Sequence, residues 1–336
     1  MRKALYCVVT VVLVAGLLLG CSGPDVSPSP SPSPEPKPEP IVIKAVSFIS
    51  KNDKSFSAFA LLRDRVNERA NGELIINYLG ASEVVSPKEQ GVAVGKGVVD
   101  MAFLPARWYP ELAPGAEALL LAEITPAEER ARGAYDFIND LHMKGGLFYL
   151  GRTYDQPGRY FYLFTNKQVK TPRDLASLKM TNAHQSFDSL GITYVSVRMP
   201  EIYTALERGL ADGQCSDFSS ATAFSWQEVL KYVVDHPFNS SNVVTIMNLN
   251  TWNSIPKHLQ TLIMDVQVEV EKESASIIDQ FEEESRQQIE EAGLEFVKFS
   301  ADDERWFYET LREGQWSKLI EMYPEVGTKL KELLVK

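Results

Sequence analysis

The sequence predicts an α/β protein of two lobes with mixed or mostly parallel sheets, braced by one long helix in its C-terminal half. Three observations carry this. From Ile41 onward, short β-branched runs alternate with stretches of helical periodicity. The 336 residues suit two lobes at roughly 150 residues each. A helix–glycine–aspartate step in the first half also returns in the second. The composition, 44% hydrophobic and 24% charged, is that of a chain able to bury a core, and it excludes collagen, disorder throughout and a multi-span membrane protein. A net charge of −11 argues against nucleic acid as a partner, because phosphate binding needs clustered Lys and Arg.

The first forty residues read as processing and tether rather than fold. Arg2 and Lys3 precede the apolar run from Ala4 to Gly20, which ends in Leu18-Leu19-Gly20-Cys21. This ending resembles a bacterial lipobox cut before Cys21, whose thiol would carry the lipid; an uncleaved signal anchor is the alternative. Ser22 to Pro40 has proline at nearly every second position. Such a segment favours extended polyproline II and reads as a spacer of ~60 Å, at roughly 3.1 Å per residue. With Cys21 lipidated and Cys215 alone, no internal disulfide is expected.

The elements follow in order. Ile41 to Phe48 reads as a strand, and Ser55 to Ala70 as a helix with Phe59, Leu62 and Val66 on one face and Gly72 beyond its end. Leu74 to Leu79 is again a strand. Ser86-Pro87-Lys88-Glu89 starts a helix that ends at Gly95 or Gly97, and Val98 to Leu104 follows as a buried strand. Thr125-Pro126-Ala127-Glu128 caps a helix running to about Met143. Strands return at Leu147–Gly151 and Tyr160–Thr165. Met199 to Leu206 is a helix closed by Gly209. The last long element runs from Pro256 to about Ala292, some ~55 Å at 1.5 Å per residue, with Glu282-Glu283-Glu284 expected on a solvated face.

The repeated step compares Ala93-Val94-Gly95-Lys96-Gly97-Val98-Val99-Asp100 with Ala205-Leu206-Glu207-Arg208-Gly209-Leu210-Ala211-Asp212. In each, glycine closes a helix in a left-handed turn before an apolar step into the sheet. Two such units suit two similar lobes facing one another. Asp100 and Asp212 are therefore expected to make structural hydrogen bonds rather than a catalytic pair.

Catalytic and metal signals are sparse. His142, His184, His236 and His258 are scattered, with no metal-ligand spacing, and Cys215 has no histidine near it in sequence. There is no GxSxG, Walker loop or GxGxxG after a strand. No cofactor and no metal are expected, and the chain is read as a binding protein rather than an enzyme.

Four segments carry a family resemblance. Thr171-Pro172-Arg173-Asp174-Leu175-Ala176-Ser177-Leu178-Lys179 is similar to the "TPxDLxGLK" of solute-binding proteins of TRAP (tripartite ATP-independent periplasmic) transporters, DctP type. Glu201 to Gln214 resembles their "EVYTALQxGxVDGQ", Gly97 to Ala102 their "GxxDMA", and Trp252 to Pro256 their "WxSLP". The resemblance implies a periplasmic-binding-protein clam-shell that closes on a small solute and delivers it to membrane permease subunits driven by an ion gradient. It implies an extracytoplasmic location, here with a lipid anchor on Cys21. A tethered ligand sensor signalling to a membrane partner is the alternative function. The expected division is signal 1–20, lipidated Cys21 with its linker 21–40, first lobe 41–158 plus about 248–290, and second lobe 159–247 plus about 291–336.

The departures bear on the ligand. Where relatives carry an arginine that forks onto a substrate carboxylate, Met180-Thr181 stand here. A second family arginine falls near Tyr162, and a ligand-contacting Asn near Ser216, in Cys215-Ser216. The usual organic-acid assignment therefore does not carry over directly, and an aromatic or weakly charged solute is expected. Arg107, Trp108 and Tyr109 follow a strand's C-terminal end, where open α/β folds place ligands. Trp108, Tyr162 and Phe187 are candidate stacking walls. Arg107, Arg159 and Arg198 are candidate replacement anchors, with Thr181, His184 and Ser216 as further pocket residues.

Overall fold

Two mixed sheets carry the fold in the computed structural model, which describes residues 39–153, 160–181, 185–241 and 243–336. The first contains β1 (Ile41–Ser47), β2 (Leu74–Gly80), β3 (Met101–Pro105), β4 (Leu147–Arg152) and β10 (Val243–Asn248), ordered β2-β1-β3-β10-β4. β1 is parallel to β2 and β3; β10 is antiparallel to β3 and β4. The second contains β5 (Phe161–Thr165), β6 (Lys179–Thr181), β7 (Thr193–Tyr194), β8 (Gly213–Ser216), β9 (Tyr232–Phe238) and β11 (Glu295–Val297), ordered β11-β9-β5-β8-β6-β7. The fold is α/β with two lobes, one built on each sheet.

Both sheets are covered on both faces, which is why their central strands read as unbroken apolar runs. In β3, Met101 and Phe103 join a core with α1 (Ser57–Arg69), while Ala102 and Leu104 join the core on the other face. β5 divides likewise, Leu163 to one side and Phe164 to the other. Large side chains so buried contribute about 1.5–3 kcal/mol each.

The repeated step has the same geometry in both lobes. After α2 (Gln90–Gly95), Gly97 adopts φ +70°, and the Val98 amide donates to Ala93 O at 2.9 Å. Asp100 Oδ2 then accepts from the Lys44 amide of β1 at 2.8 Å. The single helix expected over 126–143 is two helices, α3 (Pro126–Ala131) and α4 (Ala134–Lys144), because Gly133 turns left-handed at φ +76°. In the second lobe, α5 (Ile202–Glu207) ends at Gly209, φ +68°, and the Leu210 amide donates to Ala205 O at 2.9 Å. Asp212 Oδ2 accepts from the Lys179 amide of β6 at 3.0 Å. Each aspartate fastens the start of one parallel strand to its neighbour, so both are structural.

Two chain connections join the lobes, one between β4 and β5 and one between β9 and β10. The Thr153 amide donates to Val243 O at 3.0 Å, and the Tyr160 amide to Asn239 O at 3.0 Å. After α6 (Phe218–Ala223) and α7 (Leu249–Ser254), the 35-residue α8 (Lys257–Glu291) spans both lobes. Its Leu259, Ile263, Val266 and Val270 pack in the first lobe and its Ile289 in the second. The acidic run on α8 is not uniformly solvated: Glu282 accepts from the Phe218 and Ser219 amides at 2.9 and 3.2 Å. Burial and the neighbouring Asp217 push its carboxyl up to about 8.

The C-terminal helices pack against both lobes. In α9 (Ala301–Met322), Phe307 and Leu311 belong to the second lobe's core, but Trp316 and Leu319 belong to the first's. In α10 (Pro324–Leu334), Leu330 and Leu334 also pack in the first lobe. Residues 291–336 are thus shared, because α9 is long enough to pass from one core to the other. No helix among the described residues is long and apolar enough to cross a membrane. The expected signal, Cys21 and nearly all of the linker lie outside the described residues.

Candidate functional site

The candidate site lies between the lobes, at the C-terminal ends of β3, β6 and β8, where parallel strands leave their sheets. A groove of about 510 Å³ nearby separates Asn52 and Lys54 of the first lobe from Ser219 and Thr222 of the second.

From the first lobe, the 3-10 turn Ala106–Trp108 brings Arg107 and Trp108 to this edge. Trp108 stands edge-on to Phe48, with ring centroids 5.5 Å apart, and the Arg107 guanidinium lies 6.0 Å over the Trp108 ring. The groups acting on Arg107 electrostatically are Cys215 of β8 and Tyr160 of the crossing, so it faces the second lobe. Among the described residues it makes no hydrogen bond and no ion pair. Burial pulls its guanidinium below the ordinary arginine range. A recessed cation without a counter-ion is costly to bury, and a carboxylate is the group that pairs with it most strongly.

From the second lobe, strand register brings four side chains to one face. Tyr162 of β5 pairs with Ser216 of β8, and Thr181 of β6 pairs with Gln214. The Tyr162 ring leans on Phe218 at 4.2 Å. Thr181, Gln214 and Ser216 are buried, and among the described residues the Gln214 amide has a partner at neither its oxygen nor its nitrogen. Asp217, next in the chain, caps α6 by accepting from the Ser220 amide at 2.7 Å.

Three sequence candidates stand elsewhere. Tyr109 is fully buried in the first lobe, its hydroxyl 3.0 Å from His142 Nε2, because the turn after Trp108 points it back towards α4. Phe187 is core, edge-on to Phe238 at 5.5 Å, behind β6 and β8 rather than at their ends. Arg198 is an exposed ion-pair partner of Glu201 at the start of a helical turn. Arg159 and His184 lie outside the described residues. The structure places Arg107 and Trp108 at the edge of the first lobe's sheet, and Tyr162, Thr181 and Ser216 on one face of the second lobe's sheet.

Gln214 and Phe48 were not among the expected site residues. Gln214 stood within a motif read for its family likeness alone, and period-2 alternation with Ser216 was the available signal. Phe48 read only as a strand end. Burial pushes the Cys215 thiol far above its ordinary range, which removes it as a nucleophile. No group of three or more metal-ligating side chains occurs among the described residues.

The family model described as bacterial extracellular solute-binding protein, family 7, matches residues 45–320. A monocarboxylate 2-oxoacid-binding periplasmic protein of Nostoc sp. is 27% identical over 268 residues, covering 71% of this chain and 68% of that one. A TRAP periplasmic solute-binding protein of Desulfovibrio salexigens, solved with bound orotic acid, superposes with a TM-score of 0.76 at 18% identity, covering 87% of this chain and 97% of that one. Another from Shewanella oneidensis, solved with succinate, gives 0.72 at 18% identity, with coverage of 88% and 98%.

Proposed function

This chain belongs to the bacterial extracellular solute-binding proteins of family 7, and from that premise we propose that it captures a small carboxylate between its lobes for delivery to a TRAP-type permease. The observation that carries this is Arg107, a recessed cation with no counter-ion among the described residues, facing the second lobe across the cleft. The expectation from sequence leaned towards an aromatic or weakly charged solute because Met180-Thr181 replace a family arginine. Arg107 supports an anionic one, anchored from the opposite lobe. The orotate, succinate and 2-oxoacid named for the similar proteins are all carboxylates.

The roles divide by chemistry. Arg107 pairs with the carboxylate, and Trp108 and Tyr162 face the body of the solute. Thr181, Gln214 and Ser216 supply hydrogen bonds from the second lobe, so the ligand is held by both halves and favours closure. Arg159 and His184, which lie outside the described residues, stay in the candidate set on the sequence alone. The N-terminal segment, with Cys21 lipidated after removal of residues 1–20, would hold the body at the outer face of a membrane.

The test is calorimetric titration of the full chain with 2-oxoacids, succinate, malate and orotate, after native mass spectrometry identifies what copurifies. Arg107→Ala is expected to weaken the tightest carboxylate by about 30- to 150-fold, the ~2–3 kcal/mol of a charge-assisted pair. Unchanged affinity in both Arg107→Ala and Tyr162→Ala would sink this reading. So would a neutral copurifying solute that binds Arg107→Ala normally.

A further inference from the structure

We propose that Glu282 of α8 is a positioning residue for the cleft: it shares one proton with Asp217 while the two hold the cleft wall, and affinity for an anionic solute falls as that proton leaves. This rests on the cleft reading above and gives the same site a response to pH.

Two carboxylates meet three consecutive residues at the start of α6. Glu282 accepts from the Phe218 and Ser219 amides at 2.9 and 3.2 Å. Asp217 accepts from Ser219 Oγ and the Ser220 amide at 2.7 Å each, and from Ser220 Oγ at 2.9 Å. Like charges so placed and drawn out of water resist ionising together, and one proton kept by the pair relieves the repulsion. The nearby cations have partners of their own. Arg286, one turn further along α8, pairs with Asp235 of β9 at 2.9 Å and with Glu290 at 3.0 Å. Lys54 of the first lobe pairs with Glu284 at 3.0 Å. Asp279, one turn before Glu282, and Glu283 beside it add further negative charge. Burial and Asp217 accordingly push the Glu282 carboxyl up to about 8.

What the pair holds is the wall of the cleft. The Phe218 ring leans on Tyr162 at 4.2 Å, and Tyr162 pairs with Ser216 in the sheet. Asp217 stands between Ser216 and Phe218 in the chain. On its other side, α8 carries Ile278 and Phe281 against the first lobe's core, with Lys54 Nζ 5.0 Å over the Phe281 ring. Glu282 therefore ties a stretch of α8 seated on the first lobe to backbone beside the second lobe's site residues. When the proton leaves, a second negative charge stands behind the wall, where it repels Asp217 and disfavours an anionic solute. By linkage, an arriving carboxylate strengthens the pair's hold on the proton.

The test first follows the Phe218 amide and Tyr162 ring resonances of the isotope-labelled full chain from pH 6 to pH 9, with no solute added. Both are expected to move with a midpoint near pH 8 in the wild type and to stay still in Glu282→Gln. Calorimetric titration with succinate, orotate or pyruvate then compares pH 7 with pH 9. The carboxylates of these probes stay ionised throughout, and an ordinary tyrosine titrates near 10, so neither supplies that transition. Wild-type affinity is expected to fall about fivefold, the low end of coupling between two groups, and to stay level in Glu282→Gln. Asp217→Asn, whose amide oxygen still accepts at α6, serves if Glu282→Gln does not fold; there the transition moves to lower pH. A Phe218 midpoint or an affinity profile that neither variant changes overturns the proposal. If no probe binds, the cleft reading falls by itself and the resonances decide the pair: movement lost in Glu282→Gln upholds it, and no movement overturns it.

Discussion

His142 is buried in the first lobe, its Nε2 3.0 Å from the Tyr109 hydroxyl and its Nδ1 2.7 Å from Ile138 O. The neutral ring satisfies both contacts, with Nδ1–H donating and Nε2 accepting, and burial pulls its pKa down to about 4. An unfolded histidine titrates near 6.5, so below that pH the unfolded chain takes up a proton that the folded chain refuses. This contribution to stability is complete above about pH 6.5 and lost as pH falls towards 4, by up to ~3 kcal/mol. Urea unfolding at pH 7 and pH 4.5 is expected to show a smaller pH-dependent loss in His142→Gln than in the wild type. Equal losses in the two would show that another group governs that window. At this scale the sequence was partly legible. Arg107, Trp108 and Tyr109 are adjacent and chemically alike as site candidates, but a 3-10 turn decides which way each points.

Among elements, the segments that carried the family likeness turn out to do mainly structural work. Asp174 Oδ2 accepts from the Lys170 and Thr171 amides at 2.9 and 2.8 Å and holds the turn that opens the Pro172–Ser177 helix. Trp252 stacks on Phe148 at 4.0 Å, and Asn248 caps α7 through the Thr251 amide at 3.0 Å. Gly213 is glycine because a Cβ there would sit 2.1 Å from Phe164 O and 2.8 Å from Met180 Sδ, where β5 and β6 close on β8. Gly213→Ala is accordingly expected to lower stability by about 3 kcal/mol, since backbone must move to admit it. An unfolding midpoint within error of the wild type would show that β5 gives way freely. These positions were readable because turns, caps and close approaches depend on local residue chemistry. Thr181, Ser216 and Tyr162 differ from the family pattern at strand ends, where nothing in the backbone dictates a residue.

For the whole molecule, α8 and α9 each contribute to the cores of both lobes, so the halves are tied by more than their crossing strands. The tether belongs to this scale as well. A labelled palmitate precursor is expected to mark the wild-type protein and leave Cys21→Ser unmarked, with the variant released from the membrane fraction. Equal labelling of the two would remove the lipid-anchor reading. The sequence by itself determined the class of fold, the order of its elements, the repeated glycine–aspartate step and the length of α8. Each of these follows from periodicity, caps and turn residues within a few positions of one another. Only the tertiary structure decided that Arg107 faces Cys215 across the cleft, that Phe187 and Tyr109 are core, and that α10 packs on the first lobe. Those outcomes depend on contacts between residues far apart in the chain, and on burial and pairing that local pattern does not encode.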